Sequence, residues 1–412
     1  MKPKNLKKIK YSIFILILSF FFSFKLAIGD EFKLIPSISL KEEYNDNLFF
    51  TERDKEKDFI TTISPGLELS NKTERLDLNL LAQLNKLIYG KNDELNKLEQ
   101  NYRGRIRYSF HPKLNLSANA GFTRDYRPDR DIEITGLVTK AIRRDKINFA
   151  GGAEYIYSEK TRGNLSYNFE KADYERDPEF VDTKAHELNI GLIHDLSQHL
   201  PSTIGRANLG YARYEFSETL INYYYGTIGM GRALSEKWNL IADLGLSYTR
   251  SEFDVYYYLI YPTIYYKEKK EKDGLGLVSQ ATLSYRGEKT KRGEKTTLDL
   301  SLAHRLMPAS GTVGATKRTA FTFDFGHRLT YELLLRLSAG YYINRAKRGE
   351  FGIEEMDERT FRINPRLRYE FTKDIALEAY YSFTYLRDKD DDTKAKRNLF
   401  MVNLIIQYPL FE

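Results

Sequence analysis

From Arg75 the chain reads R-L-D-L-N-L-L-A-Q-L-N. Leu76, Leu78, Leu80, Ala82 and Leu84 fall on one face of an extended segment, and Arg75, Asp77, Asn79, Gln83 and Asn85 on the other. A period of two is the side-chain repeat of a β-strand. Ordinary globular strands run to about six residues, whereas a tilted strand crossing a bilayer needs about 9 to 11. This segment has the membrane length. One apolar and one polar face over that length mean a wall between lipid and water.

The pattern returns along the chain. Leu114, Leu116, Ala118, Ala120 and Phe122 alternate with Asn115, Ser117, Asn119 and Thr123. Trp238, Leu240, Ala242, Leu244, Leu246 and Tyr248 alternate with a set that includes Asn239, Asp243, Ser247 and Thr249. Phe321, Phe323 and Phe325 flank Thr322 and Asp324, and Ile375, Leu377, Ala379, Tyr381, Phe383 and Tyr385 run opposite Glu378, Ser382 and Thr384. The last such segment sets Val402, Leu404, Ile406 and Tyr408 against Asn403 and Gln407.

Two kinds of connection alternate between these segments. Tight ones fall at 71–74, 111–113, 158–161, 234–237, 330–331 and 372–374; longer charged ones fall at 46–57, 90–97, 126–144, 175–184, 251–272, 308–316, 346–357 and 388–395. Short periplasmic turns alternating with long external loops mark an outer-membrane barrel. The expected fold is therefore all-β: a transmembrane antiparallel up-and-down β-barrel of about 18 strands, with about 16 as the alternative because the weaker patterns near 203–233 can be merged. A soluble sandwich of this length would split into domains joined by linkers, and no linker is visible.

The first ten residues hold Lys2, Lys4, Lys7, Lys8 and Lys10 without an acid, an apolar run from Tyr11 to Phe24 follows, and Ala27-Ile28-Gly29 closes the segment with small residues. Residues 1–29 are expected to be a secretory signal peptide and 30–412 the barrel. Removing the six lysines of that segment lowers the formal net charge from +7 to +1. A basic excess that attracts nucleic acid is thereby lost, and no nucleic-acid partner is expected. The chain has no cysteine although it passes through a disulfide-forming compartment, so packing and hydrogen bonds must hold it.

One stretch near the start of the mature chain breaks the alternation. Tyr44-Asn45-Asp46-Asn47 follows Glu42 and Glu43 and precedes Leu48-Phe49-Phe50. Asn and Asp tolerate left-handed backbone angles and bond their own neighbours, which suits a strand leaving the sheet for a loop. A cation site is the sharper alternative, but no partner carboxylate can be identified.

"EYNDNLFF" followed by "DFITTISPGLEL" resembles the opening of outer-membrane β-barrel porin family 2, whose members include exosortase-associated and exopolysaccharide-associated barrels. The residues that carry the resemblance are Tyr44, Asn45, Asp46, Asn47, Pro65 and Gly66, within about the first forty mature residues. The resemblance implies an outer-membrane pore or scaffold linked to polysaccharide export, with no catalytic residues to carry over. At the other end Phe411 is penultimate and Pro409 interrupts the alternation, so Tyr408 is expected to serve as the strand's terminal aromatic residue, leaving a short tail.

Catalytic chemistry is not expected. His111, His186, His194, His199, His304 and His327 are scattered, in no spacing that suggests a nucleophile with its base or a transition-metal set. No cofactor is expected. The polar face says more. Arg103, Arg105 and Arg107 share one side of a strand, as do Arg362, Arg366 and Arg368, and both sets point into the lumen if the opposite side meets lipid. Arginine rings favour anions. The alternative, which a net charge near zero favours, is that they pair with Asp77, Glu154, Glu170, Asp243, Asp299, Asp324, Glu370 or Glu378 and hold the wall rigid.

Residues 251–272 form the most aromatic external segment. Tyr256, Tyr257, Tyr258, Tyr261, Tyr265 and Tyr266 make a stacking platform for sugars at the mouth, a loop folded inward to narrow the pore or, as the favoured reading, a hairpin extending beyond the membrane and turning near Tyr261-Pro262. Asp388 to Asp392 reads as a solvated loop tip. The expected protein is an outer-membrane pore serving exopolysaccharide export; the alternatives are a general or anion-preferring diffusion porin and a plugged structural or adhesive barrel. Expected partners are outer-membrane lipid, lipopolysaccharide, the barrel assembly machinery, and a periplasmic export protein with its polysaccharide.

Overall fold

The computed structural model describes residues 31–127, 141–175, 180–259, 264–309, 314–347, 349–351, 355–390 and 392–410. The proposed signal peptide lies outside them. Eighteen strands form one antiparallel sheet that closes on itself. Its first half holds β1 (Glu31–Asn45), β2 (Asp58–Lys72), β3 (Leu76–Tyr89), β4 (Leu98–His111), β5 (Leu114–Asp125), β6 (Arg144–Ile156), β7 (Thr161–Tyr174), β8 (Thr183–Asp195) and β9 (Thr203–Glu215). The second half starts with β10 (Thr219–Ala233), β11 (Trp238–Leu259) and β12 (Ile264–Arg286). Two-residue strands β13 (Lys289–Thr290) and β14 (Gly293–Glu294) make a separate ribbon inside the next turn. The barrel then resumes with β15 (Thr296–Pro308), β16 (Ala315–Arg328), β17 (Leu333–Ala346), β18 (Met356–Glu370), β19 (Ile375–Asp388) and β20 (Thr393–Gln407). Strand number and up-and-down order are those expected from the alternation.

The wall closes where β1 pairs with β20, from Ser37↔Gln407 to Asn45↔Leu399. The tail stays on β1 past the last strand: the Tyr408 and Leu410 amides donate to the carbonyls of Pro36 (3.0 Å) and Leu34 (2.8 Å). Pro409, which has no amide hydrogen to give, sits between them.

Alternation decides which face meets lipid. Leu209, Ile228, Leu244 and Leu246 project outward, at 67%, 74%, 57% and 71% exposure, an expense that only a hydrocarbon surround removes. Aromatic side chains ring the band at both ends. Tyr155–Tyr157, Trp238–Tyr285 and Tyr369–Phe371 lie 4.8, 5.0 and 4.9 Å apart near the short turns. Tyr44–Phe59 and Tyr381–Phe400, at 5.0 and 4.7 Å, lie near the long loops. Glu31 and Leu410, the first and last described residues, share the side of the short turns.

Residues 203–233, where the pattern was faint, are two full strands. Tyr225 of β10 lies flat over Gly210 of β9, where a Cβ would stand 2.1 Å from the ring. Its hydroxyl donates to Glu187 (3.0 Å) and accepts from Asn189 (2.9 Å), both on β8. The missing side chain of Gly210 is what lets one tyrosine bind three strands together.

The aromatic segment 251–272 is a continuation of the β11–β12 hairpin. Tyr256 pairs with Lys267, Tyr257 with Tyr266 and Tyr258 with Tyr265. Tyr261 lies outside the described residues.

Candidate functional site in the barrel lumen

The lumenal face of β4 is set by the apolar residues it alternates with. Tyr102, Ile106, Tyr108 and Phe110 are exposed on the outside, so Arg103, Arg105 and Arg107 face inward. Arg103 Nε donates to Asn101 Oδ1 at 3.0 Å. Arg105 and Arg107 are exposed and make no hydrogen bond or ion pair with the described residues. Arg107 is level with Asp77 of β3 and Ser117 of β5. It lines a recess of about 550 Å³ at the turn end, in which Lys72, Arg75 and Arg107 face Glu74, Asp77 and Glu154.

The second arginine set, on β18, is bound into the wall. Arg362 Nε donates to Asn364 Oδ1 (3.0 Å) and Ser382 Oγ (3.2 Å), and its Nη2 to the Tyr380 hydroxyl (3.1 Å). The Arg366 guanidinium sits 5.2 Å from the centre of the Tyr380 ring. Arg368 donates to Glu378 on β19 at 2.9 Å and approaches Glu370 at 3.4 Å. Other lumenal carboxylates are matched too: Arg206 reaches Asp243 (2.9 Å), Lys146 reaches Glu170 (2.8 Å), Arg286 reaches Asp299 (2.9 Å), and Arg292 pairs with Glu370. The two sets thus differ in kind, one restrained by neighbours and one with two unengaged guanidinium groups.

The loop-side mouth is narrowed from two sides. After β1, Asn47 folds the chain inward. Its side-chain oxygen accepts from the Thr51 amide (3.0 Å), and its nitrogen donates to the carbonyls of Thr51 (2.7 Å) and Lys396 (3.0 Å). Asp46 accepts from the backbone and side-chain nitrogens of Asn398 on β20, both at 2.7 Å. The four-residue motif is therefore a clasp joining the first strand to the last. Leu48 packs on lumenal Ile60 and Leu87, while Phe50, at φ +58°, packs on Leu386 and Ala395 beneath the Arg397 guanidinium.

An ion pair then crosses the mouth. Arg127, just beyond β5, makes two hydrogen bonds of 2.9 and 2.8 Å to Glu43 of β1, passing over β2, β3 and β4. Glu43 is 2% exposed and also accepts from Lys41 at 3.1 Å. The neighbouring Tyr126 amide donates to Glu99 of β4 at 3.2 Å. On the far side, Tyr214, Ile221, Tyr223, Val278, Leu306 and Phe351 belong to one buried apolar cluster. A narrowing was expected only as an alternative for residues 251–272, which instead continue the β11–β12 hairpin; these contacts narrow the mouth elsewhere. Their signal was a loss of polar residues at lumenal positions near the loop ends, as in Ile60, Leu87, Ile221 and Tyr223.

Four histidines contact hydroxyls: His186–Tyr167, His194–Thr161, His304–Thr319 and His327–Thr296, all at 2.8 to 2.9 Å. Among the described residues no group of His, Asp and Glu is arranged to hold a metal ion.

A closed barrel with an apolar outer band, two aromatic belts and a polar, charge-lined interior is a transmembrane β-barrel, and its place is the bacterial outer membrane. Residues 27–183 match the family model described as "Putative beta-barrel porin 2", which bears out the resemblance drawn from Tyr44–Asn47 and Ser64-Pro65-Gly66. Among solved structures, the outer membrane protein opdK from Pseudomonas aeruginosa is 11% identical with a TM-score of 0.44, over 91% of this chain and 99% of that one. Acinetobacter baumannii OccAB4 is 10% identical with a TM-score of 0.45, over 92% and 99%. The ferric-catecholate import receptor Fiu from E. coli K12 is 8% identical with a TM-score of 0.47, over 90% and 81%. No curated protein matches the chain.

Proposed function

We propose that this porin is an export channel for an exopolysaccharide, kept shut at its outer mouth until a periplasmic partner engages the turn side. The observation that carries this reading is the unequal lumen. The turn side holds a wide recess and unengaged Arg105 and Arg107, while the loop side is crossed by Glu43–Arg127 and packed with apolar residues. Guanidinium groups without a protein partner suit the carboxylate or phosphate groups of a sugar chain. A passive diffusion pore needs a standing aqueous path, and a crowded mouth argues against one.

Single-channel conductance of the refolded mature chain in a planar bilayer tests the proposal. The expected result is a barrel that folds yet conducts little, with Arg127→Ala raising conductance by freeing the bridge to Glu43. A large and steady conductance from the unaltered chain would overturn it in favour of a diffusion porin. Silence in both the parent and Arg127→Ala would favour a plugged scaffold.

A further inference from the structure

Barrel strands pair with both neighbours, yet β12 does so unequally. Its ladder with β11 runs from Trp238↔Tyr285 to Leu259↔Ile264, whereas its ladder with β15 runs only from Arg286↔Thr297 to Ser279↔His304. Beyond that point the two edges part. From Gly274 to Val278 the β12 backbone has no ladder partner on its β15 side. This stretch lies at membrane depth: Leu277 and Leu275, 51% and 82% exposed, continue the outward apolar series of Leu283 and Ala281, and only then come Asp273 and Glu271.

The β15–β16 hairpin leaves the wall at the same place. Leu306 follows Leu300 and Leu302 in alternation, and Ala315 precedes Phe321, so both have the parity of lipid-facing residues. Both are nonetheless buried, at 5% and 0%, in one cluster with lumenal Tyr223 and Val278. The described ends of this hairpin, at Leu306 and Ala315, are tucked behind the β11–β12 wall. Between the separated edges remains a cavity of about 20 Å³, lined among others by Leu275, Leu277, Tyr223, Arg305, Leu306 and Phe351. Side chains alone close the seam.

Backbone groups without partners are tolerated at membrane depth only where they line a cavity or are covered by protein. What lies against the outside of this seam is the hydrocarbon of the bilayer, and what lies inside is an apolar lumenal wall. Arg305, exposed beside that wall, makes no hydrogen bond or ion pair with the described residues. We propose that the β12–β15 seam is a side portal through which the acyl chain of an anionic amphiphile passes between the bilayer and the lumen, with Arg305 receiving its head group. This portal is independent of axial export: it needs neither the arginines of β4 nor the opening of the outer mouth.

Fluorescence quenching tests it in the full chain. Trp238 is the only tryptophan, so Trp238→Phe gives a silent background, and Phe351→Trp places a reporter on the lumenal side of the seam. The probe is a dibrominated stearic acid added to phosphatidylcholine vesicles holding the refolded barrel. The tryptophan from Phe351→Trp should lose emission to a degree similar to that of lipid-facing Leu302→Trp, and Arg305→Gln should shift the titration to higher probe concentration. Quenching no greater than at Tyr89→Trp, on the opposite lumenal wall, would overturn the portal. An unshifted titration in Arg305→Gln would overturn the role given to the head group. Leu306→Trp reads the same side if Phe351→Trp does not fold.

Discussion

Asp46 shows how much a single lumenal-rim residue can hold. Its two carboxylate oxygens take the backbone and side-chain nitrogens of Asn398, so a cation, the sharper sequence reading, would compete with protein donors already in place. Asp46→Ala leaves those donors without their partner and should destabilise the barrel by about 1 to 3 kcal/mol, measured as the loss in urea resistance of the vesicle-embedded protein. The arginines divide at this scale as well. Replacing Arg103, Arg105 and Arg107 by Gln should lower anion preference, read as a smaller reversal potential in a salt gradient; an unaltered potential would remove the anion-binding part given to Arg105 and Arg107. Replacing Arg362 by Gln should instead lower unfolding resistance, because Asn364, Ser382 and Tyr380 lose a shared donor. The inward direction of both arginine sets was legible from alternation alone. Their different engagement was not, since Arg368 meets Glu378 only through the β18–β19 register, and register is fixed by the whole sheet.

At the scale of the strand, legibility followed chemistry on the two faces. The β3 and β11 segments were plain because their lumenal positions are polar. β9 and β10 were faint because Ala212, Tyr214, Ile221 and Tyr223 put apolar side chains on the lumenal face as well, erasing the contrast that alternation depends on. Leu80→Arg or Leu244→Arg places a charge against lipid and should cost about 2 to 4 kcal/mol near the midplane; unchanged unfolding in both would mean that the two faces are inverted. Gly210→Ala should displace the Tyr225 ring and release its bonds to Glu187 and Asn189. The expected readout is a drop in thermal stability that the double variant Gly210→Ala with Tyr225→Ala does not deepen, since the ring that clashes is then gone.

Over the whole molecule, the strand count and most of the alternating short and long connections were readable from sequence; the connections at 196–202, 216–218 and 287–295 and the closure of the outer mouth were not. The ion pair that crosses it joins residues 84 positions apart, and nothing in either local pattern names the other. Clusters on opposite sides of the mouth further show that a few loop residues, Leu48, Phe50, Phe216 and Phe351, pack onto lumenal strand residues in an inner apolar layer. Glu43→Gln should weaken the bridge without removing side-chain volume, so any gain in conductance relative to the parent reports the ion pair rather than a cavity left behind.

The clasp between Asp46 and Asn398 spans 352 residues of sequence. Contacts that distant form last and slowly, since the entropy of joining the chain ends is lost before the bonds that reward it are made. A chain still emerging during translocation therefore carries an N-terminal strand whose second edge waits on the final fifteen-residue strand. Every truncation short of that strand leaves an open sheet rather than a smaller barrel. Completeness of the polypeptide is thus checked by the fold itself, and an unfinished copy should remain sensitive to periplasmic proteases.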